Sequence, residues 1–271
     1  MKLTLTRGEL KEAAAGFQKI VAGRPNLPIL GCVRFSARGG AVAAEATDLD
    51  QTALYRFGNA AADGDGAVLA PFALVKDLAR GGAAEAVVFE TGGGAVAVTA
   101  GAGGVSVRRE IERIDPADWP QAGADIETAD APGFLAAYRR VAPFASADET
   151  RRVLQGVFVD ASGSGDHGTT LVATDGRRLT CCNSLALPVP AGGVVIPVTR
   201  FLLWSGLEQE ASLGVSGGGD GARVCVRCGR WTYRVRAVDG AYPNWRQVIP
   251  SREGLAHRIT FGDADAGPLA G

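Results

Sequence analysis

Five cysteines, two histidines and a scatter of aspartates are the residues of this 271-residue chain whose types could do chemistry. Cys225 and Cys228 have the Cys-x-x-Cys spacing of half a zinc site. A zinc site needs a second such pair, or histidines nearby. The two histidines, His167 and His257, fall in a Gly/Ser/Asp loop and in the C-terminal tail. Residues 223–228 read as a strand, which sends Cys225 and Cys228 to opposite faces. Cys181-Cys182 also read as strand, with small side chains packing. Neither pair is expected to hold a metal. Asp48, Asp50, Asp166 and Asp175 offer carboxylates, but none has a partner at acid–base spacing, and no Ser-His or Cys-His set is visible. The glycine runs TGGG (91–94) and SGGGDG (216–221) join strands instead of preceding helices, so they read as turns and not as phosphate loops. The expectation is a protein with no catalysis, no metal and no cofactor.

The stretch LVATDGRRLTCC (171–182) is harder to dismiss. An apolar run meets Thr174-Asp175-Gly176, then Arg177 and Arg178, then Leu179. Its residues alone leave open a catalytic loop, a phosphate grip, a metal site or a charged hairpin.

The cations form a second pattern. Arg7, Lys11 and Lys19 lie on a first helix-like stretch, with Arg24 after it. Lys76 and Arg80 are four apart on a second. Arg139 and Arg140 lie on a third, Arg200 starts a fourth, and Arg151-Arg152 precede a strand. Any one of these suits a solvated face. Recurrence on helices of both halves of the chain points to a basic helical side that could lie along a phosphate backbone without reading bases.

Short strands must position these residues. Alternating or β-branched runs occur at 2–6, 41–46, 67–70, 86–90, 94–99, 104–109, 156–160, 170–174, 193–197, 223–228 and 231–237, separated by Gly-rich or Asp-Gly turns. Helical spacing or a helix-start signal predicts helices at 6–23, 71–80, 131–145 and 197–207. The order of elements repeats. Each half reads strand, long helix, a strand ending in Ala-Thr-Asp, a short helix after a proline, then hairpins. Thr47 to Pro71 is 24 positions and Thr174 to Pro197 is 23; Thr47 to Trp119 is 72 and Thr174 to Tyr242 is 68. Two copies of one α+β unit, each with two helices against antiparallel sheets and offset by about 127 positions, account for these intervals. The expected boundaries are 1–122 and 127–252. Residues 253–271 are either a tail or the start of a truncated third copy.

Bulk composition agrees with a folded chain that has a real core: 46% hydrophobic and 21% charged residues. The formal net charge of −1 removes any global basic field, so nucleic acid would need a local basic face. Only four of the 28 basic residues are lysines, a bias read as genomic composition and not as a site. Five cysteines in this length suggest no disulfide framework, and no apolar run approaches a membrane span. A reduced, cytoplasmic protein is expected.

The motifs GRPNLPILGCV (23–33), ATDLD (46–50), ATDGRRL (173–179), VIP (195–197) and VDGAYPNWRQVIPS (238–251) together resemble the bacterial DNA polymerase III beta subunit, the β sliding clamp, in that family's order. The resemblance covers about residues 1–255. It implies tandem DNA-clamp domains, helices lining a hole, and sheets forming an outer shell. The implied ring encircles duplex DNA and tethers a polymerase without catalysis. It implies DNA contacts at Arg24, Lys11, Lys76, Arg80, Arg139 and Arg152. It implies a pocket for short linear peptides at Leu154, Thr174, Gly176, Arg178, Leu179, Pro243 and Val248. The partners that follow are the polymerase III catalytic subunit, the clamp loader and repair proteins. Family members chain three domains, so the expectation is a chain without the third. Two such chains supply too few domains for a ring of six, and a homotrimer is expected if residue 271 is the natural end. The alternative is an interaction module that takes clamp-binding peptides without closing a ring.

Overall fold

Leu3 and Leu5 are buried while their neighbours are not, the alternation of a half-covered strand, and Lys2–Thr6 is strand β1. The computed structural model describes residues 1–102, 105–121, 123–162, 168–208, 210–217 and 221–250. It divides into a unit of Met1–Gly240 and a small unit of Ala241–Gly271.

In the first unit β1 leads into helix α1 (Arg7–Phe17), then β2 (Cys32–Arg38), β3 (Ala41–Thr47), β4 (Gln51–Phe57), the short β5 (Ala61–Ala62) and β6 (Gly66–Pro71). Helix α2 (Phe72–Leu78) precedes β7 (Ala86–Gly92), β8 (Ala95–Ala102) and β9 (Val105–Glu112). The second half carries β10 (Ala129–Asp130), α3 (Phe134–Val141), β11 (Gly156–Asp160), β12 (Thr169–Thr174), β13 (Leu179–Leu185) and β14 (Val194–Pro197). It ends with β15 (Ser212–Ser216), β16 (Arg223–Cys228) and β17 (Trp231–Arg236).

The pairing shows the repeat directly. The first half has the antiparallel orders β1-β7-β8-β9 and β4-β3-β2-β6; the second has β10-β15-β16-β17 and β13-β12-β11-β14. Apart from the short β5 beside β1, each strand of one half has a counterpart with the same neighbours in the other. The halves join edge to edge. β17 pairs antiparallel with β4, Trp231 opposite Tyr55 and Tyr233 opposite Ala53, so one eight-stranded sheet runs through both.

Aromatic packing locks this junction. Trp231 lies 4.8 Å from the Tyr55 ring, 5.2 Å from Phe201, 5.4 Å from Phe17 and 5.8 Å from Trp204, centre to centre. Such contacts contribute about 0.5–1.5 kcal/mol each beyond area burial. Helix α1 approaches closely enough that Gly16 is required: a Cβ there would sit 2.3 Å from Trp231 Cη2. Glu9 of α1, itself buried, pairs with Arg230 of the second half and accepts the backbone N–H of Gly58 at 2.8 Å.

Three readings of the sequence are corrected. Residues 197–207 form turns and not a helix. Only Leu203 N–H reaches back to the Thr199 carbonyl (3.2 Å), while the Leu202 and Trp204 carbonyls accept from the Arg139 guanidinium. Among the described residues the second half therefore has one α-helix, not two. Helix α1 ends at Phe17, not 23, because its last turn tightens, Lys19 N–H bonding to Gly16 O and Ile20 N–H to Phe17 O. Strands β2, β4, β15 and the two-residue β5 and β10 lie outside the expected strand ranges, although β4 alternates, with Ala53, Tyr55 and Phe57 buried.

In the second unit, Trp245–Val248 make one 3-10 turn, with the Arg246 guanidinium 4.5 Å from the Trp245 ring centre and Val248 exposed. His167, Asp166, His257 and the expected tail 253–271 lie outside the described residues.

Candidate peptide socket and nucleic-acid face

The Thr174–Leu179 turn is built by its own side chains. Gly176 N–H donates to Thr174 Oγ1 at 3.0 Å, and that hydroxyl donates to the Arg178 carbonyl at 2.7 Å. Asp175 Oδ1 accepts the N–H groups of Arg177 and Arg178 at 2.9 and 2.8 Å. Those backbone donors of Arg178 and Arg177 hold the Asp175 carboxyl down to about 2. Gly176 takes φ +87°, the left-handed region that suits glycine. The Thr47–Thr52 turn has the same frame: Leu49 N–H to Thr47 Oγ1 at 3.0 Å, Thr47 Oγ1 to the Gln51 carbonyl at 2.8 Å, and Asp48 Oδ1 accepting Asp50 and Gln51 N–H. Leu49 is driven to φ +85°, at a cost of roughly 1–2 kcal/mol for a residue with a Cβ.

Around the second turn the chain gathers a half-apolar socket. Leu154 is buried in the 3-10 turn Arg152–Gln155, whose position is fixed by Ser146 N–H donating to the Leu154 carbonyl at 2.8 Å. The Arg178 guanidinium lies 5.3 Å from the Phe144 ring centre and bonds Asp175 Oδ2 at 3.1 Å. Arg151 borders Gly176 closely enough that a Cβ would meet its Nη1 at 2.9 Å. Leu179 opens β13, half-buried. Leu154, Thr174, Gly176, Arg178 and Leu179 thus all belong to the first unit. Pro243 and the exposed Val248 belong to the second. Phe144 and Arg151 complete the surroundings, and Phe144 carries no local sequence signal for this role.

The cations separate into groups. Lys11 is exposed on α1, opposite buried Leu10, Ala13, Ala14 and Phe17. Lys76 of α2 and Arg200 line one hollow of about 380 Å³ with Gln18, Gly23 and Pro25, so Arg24 flanks it. Arg200 Nη2 donates to the Gln18 carbonyl at 3.1 Å, bringing a cation of the second half against α1. Arg80 is exposed, with Asp77 at 3.4 Å. Arg139 is instead committed, its Nε and Nη2 donating to Leu202 O at 3.1 Å and Trp204 O at 2.8 Å. Arg152 lines a different hollow, of about 760 Å³, beside Asp48, Asp50 and Asp239. Arg7 is buried: its Nε donates to the Leu78 carbonyl at 2.9 Å and its Nη1 pairs with Glu85. Cys225 and Cys228 are both buried, and burial pushes the Cys228 thiol up to about 11. Among the described residues no cluster of His, Cys, Asp and Glu could hold a metal, and no helix is long and apolar enough to cross a membrane.

Residues 1–121 match the N-terminal domain of the DNA polymerase III beta subunit. The beta sliding clamp of Caulobacter vibrioides is 27% identical over 263 residues, which cover 92% of this chain and 68% of that protein. Over most of its length the chain is similar to beta sliding clamps. The Escherichia coli K12 clamp is 26% identical over 262 residues, again 92% of this chain and 68% of that protein. The crystal structure of the Caulobacter crescentus DNA polymerase sliding clamp superimposes with a TM-score of 0.78 at 25% identity, covering 93% of this chain and 69% of that one. The sliding-clamp fold thus spans both repeats.

Proposed function

We propose that the chain is a DNA sliding clamp that holds duplex DNA without sequence preference and tethers replication and repair proteins, in the cytoplasm. The observation that carries this reading is the junction itself. Two copies of one domain, with the boundary between 122 and 127, are fused through a continuous sheet, and cations of both copies meet at the α1–α2 hollow. Arg24, Lys11, Lys76 and Arg80, joined by Arg200, form the DNA face. They are long, solvated side chains that can follow phosphates without fixing one register. Arg139 contributes by shaping the 199–204 turn that carries Arg200, and Arg152 adds a cation in the separate hollow it shares with Asp48, Asp50 and Asp239.

The Thr174–Leu179 turn is the tether. Half-buried Leu179 offers apolar surface next to a turn whose backbone is held open by Thr174 and Asp175, a fit for an apolar residue of a short linear peptide. Such segments would come from the polymerase III catalytic subunit, a clamp loader and repair proteins. Duplex binding measured by anisotropy at several salt concentrations tests the DNA face. Lys76→Glu and Arg200→Glu should each weaken binding equally on unrelated sequences and lower the salt slope by about 1. Sequence-dependent binding, or binding unaffected by either substitution, removes DNA and leaves a peptide-binding module.

A further inference from the structure

The Thr47–Thr52 turn has the frame of the Thr174–Leu179 turn, but it faces the other half of the chain. Arg236 N–H donates to the Asp50 carbonyl at 2.9 Å, which holds the turn against the end of β17. Beside it lies the hollow of about 760 Å³, walled by this turn, by Ser146, Arg152 and Gln155, and by the ends of β14 and β17. Hollows of this size between two domains are common ligand sites. The polar groups here divide into those already satisfied and those left over. Asp48 is occupied by the Asp50 and Gln51 N–H groups and the Gln51 amide. Asp239 accepts from the Arg236 guanidinium at 2.8 Å and from Gly221 N–H at 3.0 Å, and it feels the Arg152 charge without an ion pair between them. Among the described residues the Asp50 carboxylate, the Arg152 guanidinium and the Gln155 side-chain amide make no hydrogen bond or ion pair. Buried Ser146 accepts Asp148 N–H on Oγ at 3.1 Å and keeps its hydroxyl proton to donate. Buried Val235 and half-buried Val198 supply apolar wall.

We propose that this junction hollow binds an extended peptide segment carrying one basic and one acidic side chain. Asp50, from the first half, takes the cation, and Arg152, from the second, takes the anion. Gln155 offers a donor and an acceptor on one planar group, the complement of a peptide unit, and the Ser146 hydroxyl adds a second donor. Val198 and Val235 take an apolar side chain of the segment. Duplex DNA does not suit this lining: three carboxylates against two guanidinia present a net negative wall to phosphates. The second turn offers different chemistry on the same backbone frame. There Asp175 and Arg178 neutralise each other at 3.1 Å, and Leu179 adds apolar surface. The two turns would therefore select different peptides. The proposal stands on the lining of the hollow and not on the tether reading.

Amidated pentapeptides with an N-terminal fluorescein test it by anisotropy against the full chain. The probes are Lys-Leu-Val-Leu-Glu, its reverse Glu-Leu-Val-Leu-Lys, and forms of each with Gln in place of Lys or of Glu. At least one of the two charged orders should bind. Asp50→Asn and Arg152→Gln alter exposed side chains outside the core. Each should weaken that peptide about three- to five-fold, the range of an exposed ion pair. Asp50→Asn should not weaken the form that lacks Lys, nor Arg152→Gln the form that lacks Glu, as a pairwise contact requires. Leu179→Ala should leave the affinity as it was. No binding up to millimolar peptide, equal weakening of charged and neutralised forms, or loss of binding in Leu179→Ala overturns the proposal. So does duplex binding that falls in Arg152→Gln while peptide affinity holds, which would assign that guanidinium to phosphate. A peptide that responds to Asp50 and Arg152 but not to Leu179 would keep this site even if the tether reading failed.

Discussion

Gly16 should be sensitive to the smallest enlargement. An added Cβ lands 2.3 and 2.4 Å from Trp231 Cη2 and Cζ2 and 3.0 Å from Trp204 Cζ3. Trp231 cannot yield, because its ring is boxed between Phe17, Tyr55, Phe201 and Trp204. Overpacking in a well-filled core costs about 1–3 kcal/mol, and a contact this short belongs near ~3. Alanine in place of glycine inside a helix returns about 0.8–1.0 kcal/mol. Gly16→Ala should therefore lose ~2 kcal/mol. In a domain of this size that is roughly 4–8 °C of melting temperature. Gly23 supplies the control, since a Cβ there meets nothing within 4 Å. Gly23→Ala should be neutral or slightly stabilising, by up to about 1 kcal/mol through the unfolded chain. Urea titration followed by tryptophan fluorescence reads both. A Gly16→Ala protein as stable as its parent would mean the α1–β17 approach is looser than described. The close packing of the two repeats would then not be what fixes their angle.

Three further outcomes follow from the site. Leu179→Ala should weaken an apolar-tailed peptide by about 1–3 kcal/mol in fluorescence anisotropy, as expected of a central anchor, and equal affinity for both proteins would remove Leu179 from the socket. Arg139→Ala should cost stability, about 1.5–3 kcal/mol for each charged hydrogen bond lost, while Lys76→Ala should cost duplex affinity and little stability; the opposite pattern in paired melts and DNA titrations would reverse the roles assigned to these cations. The Asp175 carboxyl should titrate near 2 by carbon NMR. Because its folded value lies below the unfolded value of roughly 3.9, its contribution to the turn is fully present above that pH and is lost as pH falls toward 2. A titration at the unperturbed value would mean that the Arg177 and Arg178 N–H groups do not hold it.

What the sequence made legible was what local pattern controls. Strand alternation, the Ala-Thr-Asp turns and the interval between them are short-range signals, and the structure returns the same two-fold order of strands. The side chains misassigned were those whose fate is decided by distant atoms. Arg7 looks like any solvated cation on a first helical turn, yet its guanidinium is buried against the Leu78 carbonyl and Glu85. Arg139 lies on a helix beside Arg140, but it donates to carbonyls more than 60 residues ahead. Leu49 shows the limit most plainly. In ATDLD the leucine has no local reason to adopt φ +85°, whereas Gly176 in ATDGR does. The reason lies in the Thr–Asp frame on either side. Thr47 and Asp48 capture the next three amides and the Gln51 carbonyl, and the residue in between must turn left-handed whatever its side chain. The repeated unit is therefore encoded at this turn by the residues that hold the backbone. The residue at its tip is left free to differ, exposing an apolar side chain in one copy and bare backbone in the other.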